Sequence, residues 1–173
     1  MEISNNYSTA KVWNTSNKNV SKSSEKNKWK LTDSLKEKIV DLAKKDAQDN
    51  VYMGNAFMNL RKTEVSKVAP NRAALIGKFS QSMNSGNMSA MKEVEEADKK
   101  WLCMLFGIPY GAKYQGTGTG SAIHVYNEDG EEVLTYTGGV GWQEKETKAE
   151  SQVHSALKMT YYEAFRPARR EKH

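Results

Sequence analysis

The chain has 173 residues, 38% of them hydrophobic, a single cysteine and a formal net charge of +5. That length suits one domain with a sizeable core rather than two, and a lone cysteine excludes an internal disulfide. No apolar run approaches the roughly 18 residues that a membrane-spanning helix needs, and the Met-Glu-Ile-Ser start lacks the pattern of a secretory signal, so the expected compartment is the cytoplasm.

Residues 1–30 hold six lysines against Glu2 and Glu25, a balance of +4 that leaves only +1 for the rest of the chain. The basicity therefore belongs largely to an N-terminal arm of Asn, Ser, Thr and Lys. Such a composition buries too little surface to offset its ordering entropy, so residues 1–30 read as a disordered arm and residues 31–173 as one domain. Trp13 and Trp29 stand out in the arm, and Trp29 is placed to pack at the start of the first helix. Four Asn-x-Ser triplets, at Asn6, Asn14, Asn19 and Asn87, follow from the Asn/Ser-rich composition, because glycosylation requires entry to the secretory route.

The first helix starts at an N-cap among Thr32, Asp33 and Ser34, with Ser34 and Glu37 at capping-box spacing. Leu35, Ile39, Leu42, Ala43 and Ala47 form its apolar stripe, and Ala56, Phe57 and Leu60 resume it beyond Asn50. The spacing fits one long kinked helix or two helices meeting near Asn50. Pro70 ends this region, and Asn71 caps a helix carrying Leu75, Phe79 and Met83. After the turn at Asn84–Asn87, a third helical pattern puts Met91, Val94, Trp101 and Leu105 on one face and Lys99 and Lys100 outside, up to Gly107 and Pro109.

The hydrophobic period then changes from 3.6 to 2. "AIHVY" and "EEVLTYT" flank Asp129-Gly130, a hairpin signal that pairs Val125 with Leu134 and Ile123 with Tyr136. This register leaves His124, Tyr126, Val133 and Thr135 on the other face. A lone hairpin is marginal in water, so a third strand near residues 110–115 or packing against helices is expected. The glycine-rich corner "TGGVGW" leads to the last helix, with a capping box at Thr147 and Glu150 and a stripe of Ala149, Val153, Ala156, Leu157, Tyr161 and Ala164. Pro167 ends or kinks it, and Arg166, Arg169, Arg170 and Lys172 suit its dipole. The fold class is α+β, a mainly helical domain with one hairpin, or a three-stranded antiparallel sheet, packed against helices. Residues 51–62, "VYMGNAFMNLRK", and the hairpin-to-helix segment resemble small uncharacterised bacterial proteins, a resemblance that implies no activity and no site residues.

The stretch "GTGTGS" invites a phosphate-binding reading, but Ser121 stands in the last glycine's place of a dinucleotide fingerprint, and a strand follows it instead of a helix. Thr117 stands where a P-loop needs its lysine. The loop reads as slack before a strand, with no cofactor. His124, His154 and His173 do not make a metal site, since only Glu150 and His154 share a helix face and a catalytic zinc takes three protein ligands. Cys103 lies in an apolar run, where a thiol is inert. The serines lack a nucleophile elbow and adjacent carboxylates such as Glu131-Glu132 point to opposite faces of a strand, so no catalytic residue is assigned and an enzyme ranks third among the readings.

Two readings stand ahead of it. The first is a non-enzymatic protein that works by protein contact or self-association, with an acidic hairpin end and a basic helical segment orienting the partner and Tyr126, Trp142, Tyr161 and Tyr162 as candidate anchors. The second is a nucleic-acid-associated protein using the arm and the segment 61–78, with Arg61, Lys62, Lys67, Arg72 and Lys78 toward phosphates.

Overall fold

The computed structural model describes residues 28–108, 111–115 and 120–171. Among them, six helices and four strands follow in the order α1 (Asp33–Gln48), α2 (Asn55–Ser66), α3 (Arg72–Asn84), α4 (Asn87–Lys92), α5 (Glu96–Leu105), β1 (Ala112–Gln115), β2 (Ala122–Tyr126), β3 (Glu132–Thr137), β4 (Gly141–Glu144) and α6 (Lys148–Arg170). The architecture is α+β and mainly helical. Its sheet is an antiparallel meander, β1-β2-β3-β4.

Local chemistry explains most element ends. Thr32 caps α1 by accepting from the Leu35 amide at 3.2 Å, so the Ser34/Glu37 box is not used. Asn71 caps α3 through the Ala74 amide at 3.0 Å, and Thr147 and Glu150 form the full reciprocal box on α6. The first apolar stripe breaks into two helices. Asn50 and Met53 adopt left-handed backbone, with φ of 56° and 50°, and turn the chain back on itself. Such a conformation costs a residue with a side chain about 1–2 kcal/mol. A buried network supports it: the Asp46 carboxylate accepts from the Gly54 amide at 2.8 Å and from the Tyr161 hydroxyl at 2.7 Å, while the Met53 amide donates to the Tyr161 oxygen at 2.8 Å.

Two apolar cores result. In the first, α1, α2 and α6 bury Ile39, Ala43, Phe57, Val153, Leu157, Tyr161 and Phe165, with Trp29 and Leu31 packed alongside. In the second, the sheet meets α3, α4 and α5 over Leu75, Phe79, Met91, Cys103, Ile108, Val125, Val133 and Leu134. A buried ion pair joins the two. Arg72, at the start of α3, donates to both carboxylate oxygens of Glu150 on α6, at 2.8 and 2.7 Å, to the Val133 carbonyl of β3 at 3.1 Å, and to the Lys145 carbonyl.

Several expectations need correction. The predicted pairs Val125–Leu134 and Ile123–Tyr136 form, but a bulge between Val125 and Tyr126 sets Tyr126 opposite Glu132. The turn closes at Asn127 and Glu131, around Gly130 at φ 76°, and Val133 is fully buried instead of facing out. The glycine-rich corner holds a fourth strand, β4, which pairs Trp142 with Tyr136. The third helical pattern divides into α4 and α5; Met91 is buried and Lys100 exposed as expected, but on α5 Trp101 is 62% and Leu105 61% exposed, whereas Lys99 is buried with its ammonium over the Tyr114 ring. In α3, Ser82 is buried in place of Met83. The last helix runs through Pro167 to Arg170.

Candidate protein-contact groove

Three segments distant in sequence converge on a groove of about 860 Å³. The first begins at Lys28, where Trp29 donates its indole N–H to Glu64 at 3.0 Å. The second is the end of α2 through the start of α3, where Pro70 and the Asn71 cap turn the chain so that Val68, Ala69, Pro70, Ala74 and Leu75 line the groove. The third combines the β2–β3 turn with the first turns of α6, which add Ala149, Gln152 and Val153. The Lys148 amide donates to Glu131 at 3.0 Å and ties that turn to the helix.

Charge is divided between these segments. Lys28, Lys67 and Lys78 come from the helical side, and Glu128, Asp129 and Glu131 from the hairpin turn. Lys67 reaches Glu64 at 2.6 Å. Burial alone would raise the Glu64 pKa, but the hydrogen bonds from Lys67 and Trp29 outweigh it and hold the carboxyl below its ordinary value. The groove thus presents apolar surface between cations and anions at ordinary pH.

The sequence-predicted anchors do not meet in one place. Trp142 packs edge-on against Phe79, with centroids 5.6 Å apart, and beside Tyr136 at 5.2 Å, so it serves the sheet core. Tyr126 is half-buried at the C-terminal end of β2, and burial raises its pKa, helped by Glu132 and Glu96. Tyr161 is fully buried against Phe57 and Asp46. Tyr162 is the exposed member, with the Arg166 guanidinium 5.1 Å from its ring centre.

The five basic residues separate as well. Lys67 and Lys78 line the groove, and Lys62 is exposed on α2. Arg72 is buried and committed to Glu150, and Arg61 donates to His154 Nδ1 at 2.7 Å. His154 Nε2 lies 3.5 Å from Glu146, so both ring nitrogens have a partner. Glu150, the residue read beside His154, turns to Arg72. Among the described residues no group of three or more His, Cys, Asp or Glu is placed to hold a metal ion. The glycine loop falls at residues 116–119, outside the described residues; Gly120 has φ 89°, and β2 follows it, two residues on. Among the described residues no helix is long and apolar enough to cross a membrane.

Comparison with known proteins returns nothing: no family model, no curated protein and no solved structure matches the chain.

Two further surfaces were missed in the sequence. Trp101, Met104 and Leu105, spaced i, i+3 and i+4, leave an apolar face of α5 exposed. The end of α6, with Tyr52 from the α1–α2 turn, forms a separate cavity of about 650 Å³ lined by Tyr52, Tyr162, Phe165, Arg166, Arg169 and Arg170. For the second, the left-handed residues Asn50 and Met53 that place Tyr52 were the missing signal, since no sequence period reports them.

Proposed function

We propose that the protein is a non-enzymatic module that works by protein contact, taking a peptide segment of a partner into the groove between Trp29, the α2–α3 corner and the β2–β3 turn. The observation that carries this reading is the joint presence, around one apolar groove, of Lys67 and Lys78 from the basic segment and Glu128, Asp129 and Glu131 from the acidic hairpin end. Opposed charges on one groove fix the direction in which a mixed-charge segment lies, while apolar lining supplies the contact energy. A nucleic acid fits this groove worse, because its phosphates would meet the hairpin carboxylates. The exposed Trp101 face of α5 offers a second apolar contact area of the kind found at interfaces.

A displayed peptide library selected on the protein tests the reading. Expected are peptides with apolar anchors flanked by basic and acidic residues, whose binding is lost when Ala74→Trp fills the groove and is altered in preference by Asp129→Lys. Peptide binding indifferent to both changes, or oligonucleotide binding weakened by Lys67→Glu and Lys78→Glu, would refute it.

A further inference from the structure

We infer that the exposed end of α6, together with the α1–α2 turn, is a binding site for a nucleotide unit, a phosphate attached to a planar base. It is distinct from the groove and does not depend on it. Arg166, Arg169 and Arg170 line the cavity there, and no carboxylate partner is seen for any of the three among the described residues. One cation in the last turn would satisfy the helix dipole, whereas three guanidiniums on one cavity wall make a surplus of positive charge with fork-shaped donors suited to phosphate.

Beside them lie two partly exposed rings, Tyr52 at 49% and Tyr162 at 39%. The Tyr52 ring stands edge-on to Phe165 at 5.3 Å, and the Arg166 guanidinium lies over Tyr162. Tyr52 occupies its position through a turn that carries two left-handed residues, Asn50 and Met53, yet Val51 and Tyr52 between them remain exposed. The turn thereby holds the Tyr52 ring at the surface beside the arginines, its edge also meeting Tyr161 at 6.0 Å while half of it stays open to a ligand. Rings beside unpaired arginines match the two halves of a nucleotide, one stacking on the base and the other meeting the phosphate. An acidic peptide would use the charge but has no need of the ring faces.

The probe is a fluorescein-labelled oligothymidylate of about a dozen nucleotides, titrated against the full chain by anisotropy. Three phosphate contacts predict that the affinity difference between the unaltered chain and the triple arginine variant shrinks about 20-fold between about 50 and 200 mM salt. The triple change Arg166→Gln, Arg169→Gln, Arg170→Gln should abolish most binding, and Tyr52→Ala should weaken it about tenfold. Tyr162→Ala, at an exposed position, serves as the second ring variant if Tyr52→Ala does not fold. All variants keep residues 1–30, so the lysines there contribute equally throughout. Competition identifies the source: displacement by ATP at concentrations comparable with the strand identifies a free nucleotide, and displacement by strands alone identifies nucleic acid. Binding that survives the arginine changes, ignores both ring changes, or yields equally to oligoglutamate would overturn the proposal, the last in favour of an acidic protein segment.

Discussion

Replacing Arg72 by Met removes the guanidinium that joins the two cores while keeping most of its stem. Four hydrogen bonds go with it: two to Glu150 at 2.8 and 2.7 Å, one to the Val133 carbonyl at 3.1 Å, and one to the Lys145 carbonyl. Glu150, only 5% exposed, is left with the Thr147 amide at 2.8 Å as its remaining donor. Breaking a buried pair from one side costs about 3–5 kcal/mol, because a charge stays behind without its partner. At about 3 °C per kcal/mol for a domain of this size, the thermal midpoint at pH 7 should fall by roughly 10–15 °C. Arg72→Met with Glu150→Met should recover most of the loss, since neither charge then remains buried.

The pH dependence supplies an independent check. Burial would raise the Glu150 pKa, but the hydrogen bonds from Arg72 and Thr147 outweigh it and hold the carboxyl below its ordinary value. A depressed folded-state pKa gives stability that is present above the unfolded value of about 4.3 and is lost as pH falls through the folded one. Without Arg72 the balance reverses, and the buried carboxyl takes up a proton more readily than in the unfolded chain. The deficit of Arg72→Met should therefore narrow as pH falls from 7 toward 4, read by chemical denaturation followed by circular dichroism. A loss below about 1 kcal/mol, a deficit constant with pH, or a double variant as unstable as the sum of the singles would refute the account.

Gly54→Ala should destabilise by about 2 kcal/mol, because the added Cβ would stand 2.5 Å from Asp46 Oδ1 and push on the carboxylate whose Oδ2 accepts from Tyr161 and Gly54. Gly77→Ala, with nothing within 4 Å, should instead raise stability by about 0.5–1 kcal/mol through helix propensity; denaturant midpoints compare the two. Cys103 is fully buried, and that burial pushes its thiol pKa up. Its labelling by a thiol reagent at mildly alkaline pH should be slow and should track unfolding as denaturant is added, and fast labelling of the native protein would contradict its place in the core.

Features that depend on a few neighbouring residues were legible in the sequence. The caps at Asn71 and Thr147 and the hairpin pairing of Val125 with Leu134 and Ile123 with Tyr136 rest on local side-chain and turn chemistry, and the structure contains them. The α1 and α6 stripes were readable for a related reason: each helix has one apolar face, and that face finds the other helix. Periodicity reports that a face exists, however, and not what covers it. On α5 the residues at Trp101 and Leu105 carry the helical period, but the sheet covers the side with Leu102 and Cys103, and the reading reversed. Arg72 looked like a surface cation because its partner lies 78 residues away, and desolvation by that partner is invisible locally. The groove likewise has no sequence signature. Its lysines and carboxylates belong to segments 50 or more residues apart, and only tertiary packing of the β2–β3 turn against the start of α6 brings them around one apolar surface.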